Sequence, residues 1–206
     1  MLVRWTQLVH RVAPDAPDPS EVGSALLASW AEPHRTYHDL RHLRAVLHGV
    51  DELAGYAADP DAVQLAAWYH DAVHDGAPDE EERSADRART ELSDLGVPSR
   101  TVAEVARLVR LTANHNPAPE DRNGAVLCDA DLAILAADAG RYAGYAAAVR
   151  EEYLHIDEAE FRAGRAAILR DLLARPTLFH TPIGQACWES PARANLIAEL
   201  ASLGQP

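Results

Sequence analysis

Residues 59–76, DPDAVQLAAWYHDAVHDG, join two unlike kinds of sequence. Asp59-Pro60 opens a helix, since proline is at home in a first turn. Val63, Leu65, Ala66, Ala67 and Trp68 then make that helix so apolar that it is expected deep in the core. At His70 the character changes: imidazoles and carboxylates crowd together, and Gly76 permits the chain to turn. If the helix continues, His70 and His74 stack on one face, because four residues make slightly more than one turn. Asp71 points about 100° away from His70, so the two can share a partner only in the narrow sector between them. A small cation satisfies that geometry better than a side chain does.

Two further stretches have the same flavour. Tyr37–His42, YHDLRH, repeats the four-residue spacing, and a helix starting near Tyr37 would place His38 and His42 on one face. Leu40, Leu43, Val46, Leu47 and Val50 continue it as an apolar stripe. In residues 126–135, VLCDADLAIL, Asp129 and Asp131 interrupt an apolar helix. Aspartates there are costly to bury unless paired, hydrogen-bonded or metal-bound, so one of the two is expected to be a ligand. Mixed imidazole and carboxylate donors suit divalent Mn, Fe, Co, Ni or Zn.

Helical periodicity runs through the remainder. Trp5, Leu8, Val9 and Val12 share a face, and Ser20 is placed to cap a helix running to about Trp30, which Pro33 stops. PDEEERSADRARTELSDLG, residues 78–96, puts acids first and arginines later, the order the helix dipole favours. Charges at a helix start form a solvated, dipole-favoured face, and the alternative is a role for Glu81 or Glu82 in the water network of the site. A helix from Pro98 to about Ala113 precedes a loop, NHNPAPEDRNG, residues 114–124. Further helices are expected over roughly 129–138, 140–153, 157–174 and 190–203. No strand or internal repeat is evident, and the expected fold is an all-α helical bundle with residues 1–206 in a single domain.

Composition bounds the function. With 206 residues, 48% of them hydrophobic, the chain can bury one sizeable core. Its formal net charge is −13, and its 19 basic residues are all arginine and unclustered, which argues against binding a nucleic-acid polymer. An anionic substrate needs local help from a metal or from arginines such as Arg35 and Arg41, which flank the first histidine pair. Cys128 and Cys187 form no disulfide framework, no run approaches a membrane span, and no signal peptide opens the chain. A cytoplasmic setting without a membrane partner is expected.

The order His42, His70-Asp71, Asp131 resembles the H…HD…D signature of the HD-domain metal-dependent phosphohydrolases. YHDLRH resembles the YHNxxH motif of the cyclic-nucleotide phosphodiesterases, HDAVH their HDxxH, and Ala130-Asp131-Leu132 their ADL. EERSA at Glu81–Ala85 together with DADLAIL is similar to a bacterial HD subfamily. The resemblance implies His42, His70, Asp71 and Asp131 as ligands of one divalent ion, Mg included among the choices, with room for a second. It implies His38 as the acid for a leaving oxygen and His74 as the residue positioning the attacking water. A small phosphorylated substrate, a nucleotide, follows from the same source. His115 in LTANHN is placed to reach the cleft as a substrate contact or second-metal ligand, and Arg41 to bind phosphate. The rivals are a diiron oxygenase, which would recruit further histidines between Asp71 and Asp131, and a nucleotide-sensing module without turnover.

Overall fold

The computed structural model describes residues 1–204, so the last two residues of the expected domain lie outside the described ones. Among the described residues there are ten α-helices and no strand. They are α1 (Leu2–Val12), α2 (Ser20–Ser29), α3 (Leu40–Leu53), α4 (Pro60–Tyr69), α5 (Glu80–Asp94), α6 (Ser99–Leu111), α7 (Arg122–Leu132), α8 (Ala139–Glu152), α9 (Glu158–Ala174) and α10 (Glu189–Leu203). A 3-10 turn, Ala133–Ala136, extends α7, and a π turn, Gly184–Trp188, leads into α10. The fold is all-α, as the periodicity implies.

α4 is the axis of the larger core. Asp59 accepts a hydrogen bond from the Ala62 amide, Pro60 occupies the first turn, and Ala62, Val63 and Leu65 through Tyr69 are all buried. It packs against α1, α3, α5, α6 and α7. Trp5 meets Trp68 and Tyr69 edge-on, with ring centroids 5.4 and 5.9 Å apart. A smaller core joins Leu135, Tyr142, Leu169, Phe179 and Leu196 from the C-terminal third, and Trp188 packs against both cores.

Several expectations about local structure are corrected. α3 begins at Leu40, not near Tyr37, because Asp39 is its N-cap and accepts from the amides of Arg41 and His42. His38 therefore lies in the preceding loop and shares no helical face with His42. α4 stops at Tyr69, where the Ala72 amide turns back onto the Tyr69 carbonyl, so His70 and His74 do not stack along a helix either. Asp121 caps α7 through the Gly124 amide and starts that helix at Arg122; the loop is shorter than residues 114–124. The helix expected over 129–138 is the end of α7 plus the 3-10 turn. Ser20 is the first residue of α2, and Asp18 accepts from its amide and hydroxyl.

The crossing of α3 over α7 positions the polar cluster. Gly49 permits it: a Cβ there would stand 3.0 Å from the Ala130 Cβ and 3.2 Å from its Cα. Ala130 immediately precedes Asp131, so the closeness of these helices decides how near Asp131 comes to His42.

Candidate metal centre

Three elements bring four side chains together: His42, His70 and Asp131 offer atoms within 4.8 Å of one another, and Asp71 adjoins the two imidazoles. His42 comes from the first turn of α3, His70 and Asp71 from the turn that follows α4, and Asp131 from the last turn of α7. His42 Nε2 lies 3.0 Å from Asp131 Oδ1, 3.2 Å from His70 Nε2 and 3.8 Å from Asp71 Oδ2. His70 Nε2 lies 3.3 Å from Asp71 Oδ2 and 3.6 Å from Asp131 Oδ1. Both imidazoles are buried, while the two carboxylates are partly open.

The donor set fits a cation. His70 Nδ1 is 2.9 Å from the Ala67 carbonyl, which can only accept, so Nδ1 carries a hydrogen and Nε2 faces the cluster. Two ring nitrogens 3.2 Å apart repel unless a proton or a metal ion lies between them. Burial opposes charge at His70, but Asp71 and Asp131 outweigh it and hold the ring well above the usual imidazole range. Burial dominates at His42 and pushes it down, toward the neutral, lone-pair form. Burial would raise both carboxyls, yet the neighbouring imidazoles, His70 foremost, hold Asp71 and Asp131 below the carboxylate range. Two carboxylates then face one imidazolium, which leaves net negative charge for a cation.

Residues around the four fix them in place. His115, in left-handed backbone at φ 49°, brings Nε2 to 2.7 Å from Asp131 Oδ2. Arg35 is buried, and its Nη1 donates to the carbonyls of Asp71 at 2.7 Å and His38 at 3.2 Å, tying two of the contributing loops together. Arg41 remains exposed, paired with Asp39 and with the Thr36 carbonyl. Asp129 points elsewhere: it accepts from the amides of His180 and Thr181 and from the Thr181 hydroxyl, securing the chain ahead of the π turn. Burial raises its carboxyl, and those donors only partly offset the effect. Gly184 packs against it, since a Cβ there would fall 2.4 Å from Asp129 Oδ2. Cys128 is buried, and burial pushes its thiol up, as a core cysteine requires.

A second polar cluster adjoins the first. His38 Nδ1 lies 2.7 Å from Glu152 Oε2, and His74 Nε2 lies 3.6 Å from the same oxygen. Glu152 Oε1 accepts from the amides of Thr36, Tyr37 and His38. His74 Nδ1 faces Glu80 Oε2 at 2.9 Å. Burial opposes charge on His74, but hydrogen bonds to Glu152 and Glu80 overcome it and raise the ring to about 10. Burial likewise opposes the Glu152 carboxylate, and the bonds from His38 and His74 reverse that and push it down.

Glu80 and Glu152 escape sequence reading. Glu80 is the member of the acidic run that meets the cluster, whereas Glu82 pairs with Arg110 at the surface. Glu152 follows another glutamate at a helix end, and nothing in REEY separates the two. Arg141 of α8 was likewise unmarked. Together with Arg41, His42, Asp131 and Tyr145, it lines a cavity of about 450 Å³.

The family model for the HD domain matches residues 39–139, a segment containing His42, His70, Asp71, Asp131, His74 and His115. The chain carries an HD domain. HD domains are a superfamily of metal-dependent phosphohydrolases that bind divalent metals, and the His/Asp cluster lies where this segment's own motif residues meet. His38 and Glu152 fall outside the match. No curated protein and no solved structure matches the chain. Among the described residues no helix is long and apolar enough to cross a membrane.

Proposed function

We propose that the HD domain hydrolyses a phosphomonoester or phosphodiester, with a nucleotide as the substrate class, using one divalent ion held by His42, His70, Asp71 and Asp131. The observation that carries this reading is the approach of those donor atoms from three elements, with the contacts of His42 and His70 spanning 3.0–3.8 Å. A bound ion supplies two things: it acidifies water, and it neutralises charge on a phosphoryl group. The mixed donor set supports Mn, Fe, Co, Ni or Zn over ions that prefer oxygen alone.

The chain's own residues do the rest. His115 holds the outer oxygen of Asp131, leaving Oδ1 toward His42 and His70. His38 turns Nδ1 to Glu152, so its Nε2 edge is the one assigned to protonate a leaving oxygen. His74 has Glu80 on one nitrogen and Glu152 on the other, and it acts by fixing Glu152. Arg41 and Arg141, on the wall of the 450 Å³ cavity that His42 and Asp131 also line, are assigned to the substrate phosphate. The net charge of −13 supports a small substrate over a nucleic-acid polymer, and the two free cysteines support a reducing, cytoplasmic setting.

The test is phosphate release over a panel of nucleotides by chelator-stripped protein reloaded with each metal, with metal content measured alongside. Activity that returns with a metal, and that Asp71→Ala abolishes together with the ion of this centre, is the expected result. Tight nucleotide binding without phosphate release would replace the hydrolase by a sensor, and full activity in Asp71→Ala would remove the centre from the chemistry.

A further inference from the structure

We infer that His38, His74 and Glu152 form a second divalent-cation site beside the first. Each offers one ligand atom, and the three atoms lie within 4.8 Å of one another. Both rings address a single oxygen, Glu152 Oε2, at 2.7 Å from His38 Nδ1 and 3.6 Å from His74 Nε2. The ring centroids are 4.4 Å apart.

The three groups are oriented before any ion arrives. Glu152 spends Oε1 on three backbone amides of residues 36–38, which leaves Oε2 free to face the rings. Behind His74, Glu80 accepts at Nδ1, and its other oxygen accepts from the amides of Asp75 and Gly76. That arrangement keeps the hydrogen on His74 Nδ1, so an ion that displaces the Nε2 proton takes the Nε2 lone pair on the side of Glu152. A carboxylate behind a ring is the usual partner of a metal-bound histidine, fixing its tautomer and raising its basicity.

Two imidazoles and one carboxylate are a donor set that zinc and non-haem iron or manganese accept, with positions left for water or substrate. The ligands come from the loop before α3, the loop after α4 and the end of α8. His38 and Glu152 lie outside residues 39–139, so the HD segment alone cannot supply this site. The His38 and His42 rings are 5.6 Å apart, which makes the two sites neighbours. Ligation through His38 Nδ1 takes the place of the proton that an imidazolium acid needs there, so the second ion and the leaving-oxygen role are alternative states of His38, and the inference does not depend on the hydrolase reading.

The experiment is equilibrium dialysis of the chelator-stripped full chain against manganese and, separately, zinc. Ions per chain are counted by elemental mass spectrometry, and circular dichroism verifies the fold. Two ions are expected in the wild type, one in His74→Ala, one in Glu152→Gln and one in His42→Ala. Glu80→Gln is expected to weaken the second ion by about 10- to 100-fold. His74→Ala leaves Glu152 on its three amides, so it remains informative if Glu152→Gln fails to fold. No ion in the wild type, or a wild-type count that His74→Ala and every folded Glu152→Gln sample retain, overturns the second site. Loss of an ion in His74→Ala with none lost in His42→Ala upholds it while removing the first centre.

Discussion

Gly49→Ala tests whether the α3–α7 distance sets the metal centre. The new Cβ would meet Ala130 Cβ at 3.0 Å and Cα at 3.2 Å, below ordinary contact, and backbone stands behind the contact on both helices, so the helices must part by several tenths of an ångström. Overpacking of this kind costs about 1–3 kcal/mol. Replacing glycine inside a helix returns about 1 kcal/mol. The expected net loss is therefore about 0–2 kcal/mol, or a melting temperature lower by roughly 0–8 °C for a chain of this size. Metal affinity is expected to fall more sharply, because Asp131 follows Ala130 directly and its 3.0 Å approach to His42 widens with the helices. The control is Gly164→Ala in α9, where a Cβ meets nothing within 4 Å; it should stabilise by about 0.5–1 kcal/mol and leave metal binding alone. Calorimetric metal titration and thermal unfolding of both variants decide the matter. A Gly49→Ala protein that binds metal like the wild type and gains stability as Gly164→Ala does would refute the argument.

Two further outcomes follow from the same geometry. His74 is raised from the usual imidazole value of 6.5 to about 10, so metal-free protein should hold the associated stability in full below pH 6.5 and lose it as pH rises through about 10; urea unfolding in chelator at pH 6 and pH 9 measures the loss, and His74→Gln should flatten it. Asp129→Ala should cost about 1–3 kcal/mol by stranding donors on His180 and Thr181 while metal binding persists, whereas Asp131→Asn should lose the ion held with His42 and His70; unfolding curves and metal content on the two variants separate the roles.

The helices were legible because α3, α4 and α6 bury one stripe or nearly their whole surface, and residues such as Val63 and Trp68 have no other reason to be spaced as they are. The histidines were legible as residues but misplaced in geometry. Helical spacing suggested two stacked pairs, His38 with His42 and His70 with His74. Asp39 caps one helix between the members of the first pair, and α4 ends before the second begins. Cap chemistry thus overrode periodicity, and the clusters form by tertiary approach: His42 with His70, and His38 with His74. The resemblance to HD phosphohydrolases singled out Asp131, and the structure turns Asp131 toward His42 while Asp129 binds backbone amides. Glu80 and Glu152 stayed hidden because each sits among other acids, and only the fold shows which of them faces inward.

The bonds from Glu152 to the amides of Thr36, Tyr37 and His38, joined by the Thr36 hydroxyl on the Ala148 carbonyl, have a bearing on how this chain can be divided. A fragment cut after residue 139 would retain every motif residue of the HD segment yet strand three part-buried amides in the stretch leading into α3. Grafting that segment onto another scaffold would meet the same difficulty. Any minimal unit must carry α8 to its final turn, so the length of a working unit is set by a glutamate outside the signature and not by the signature itself.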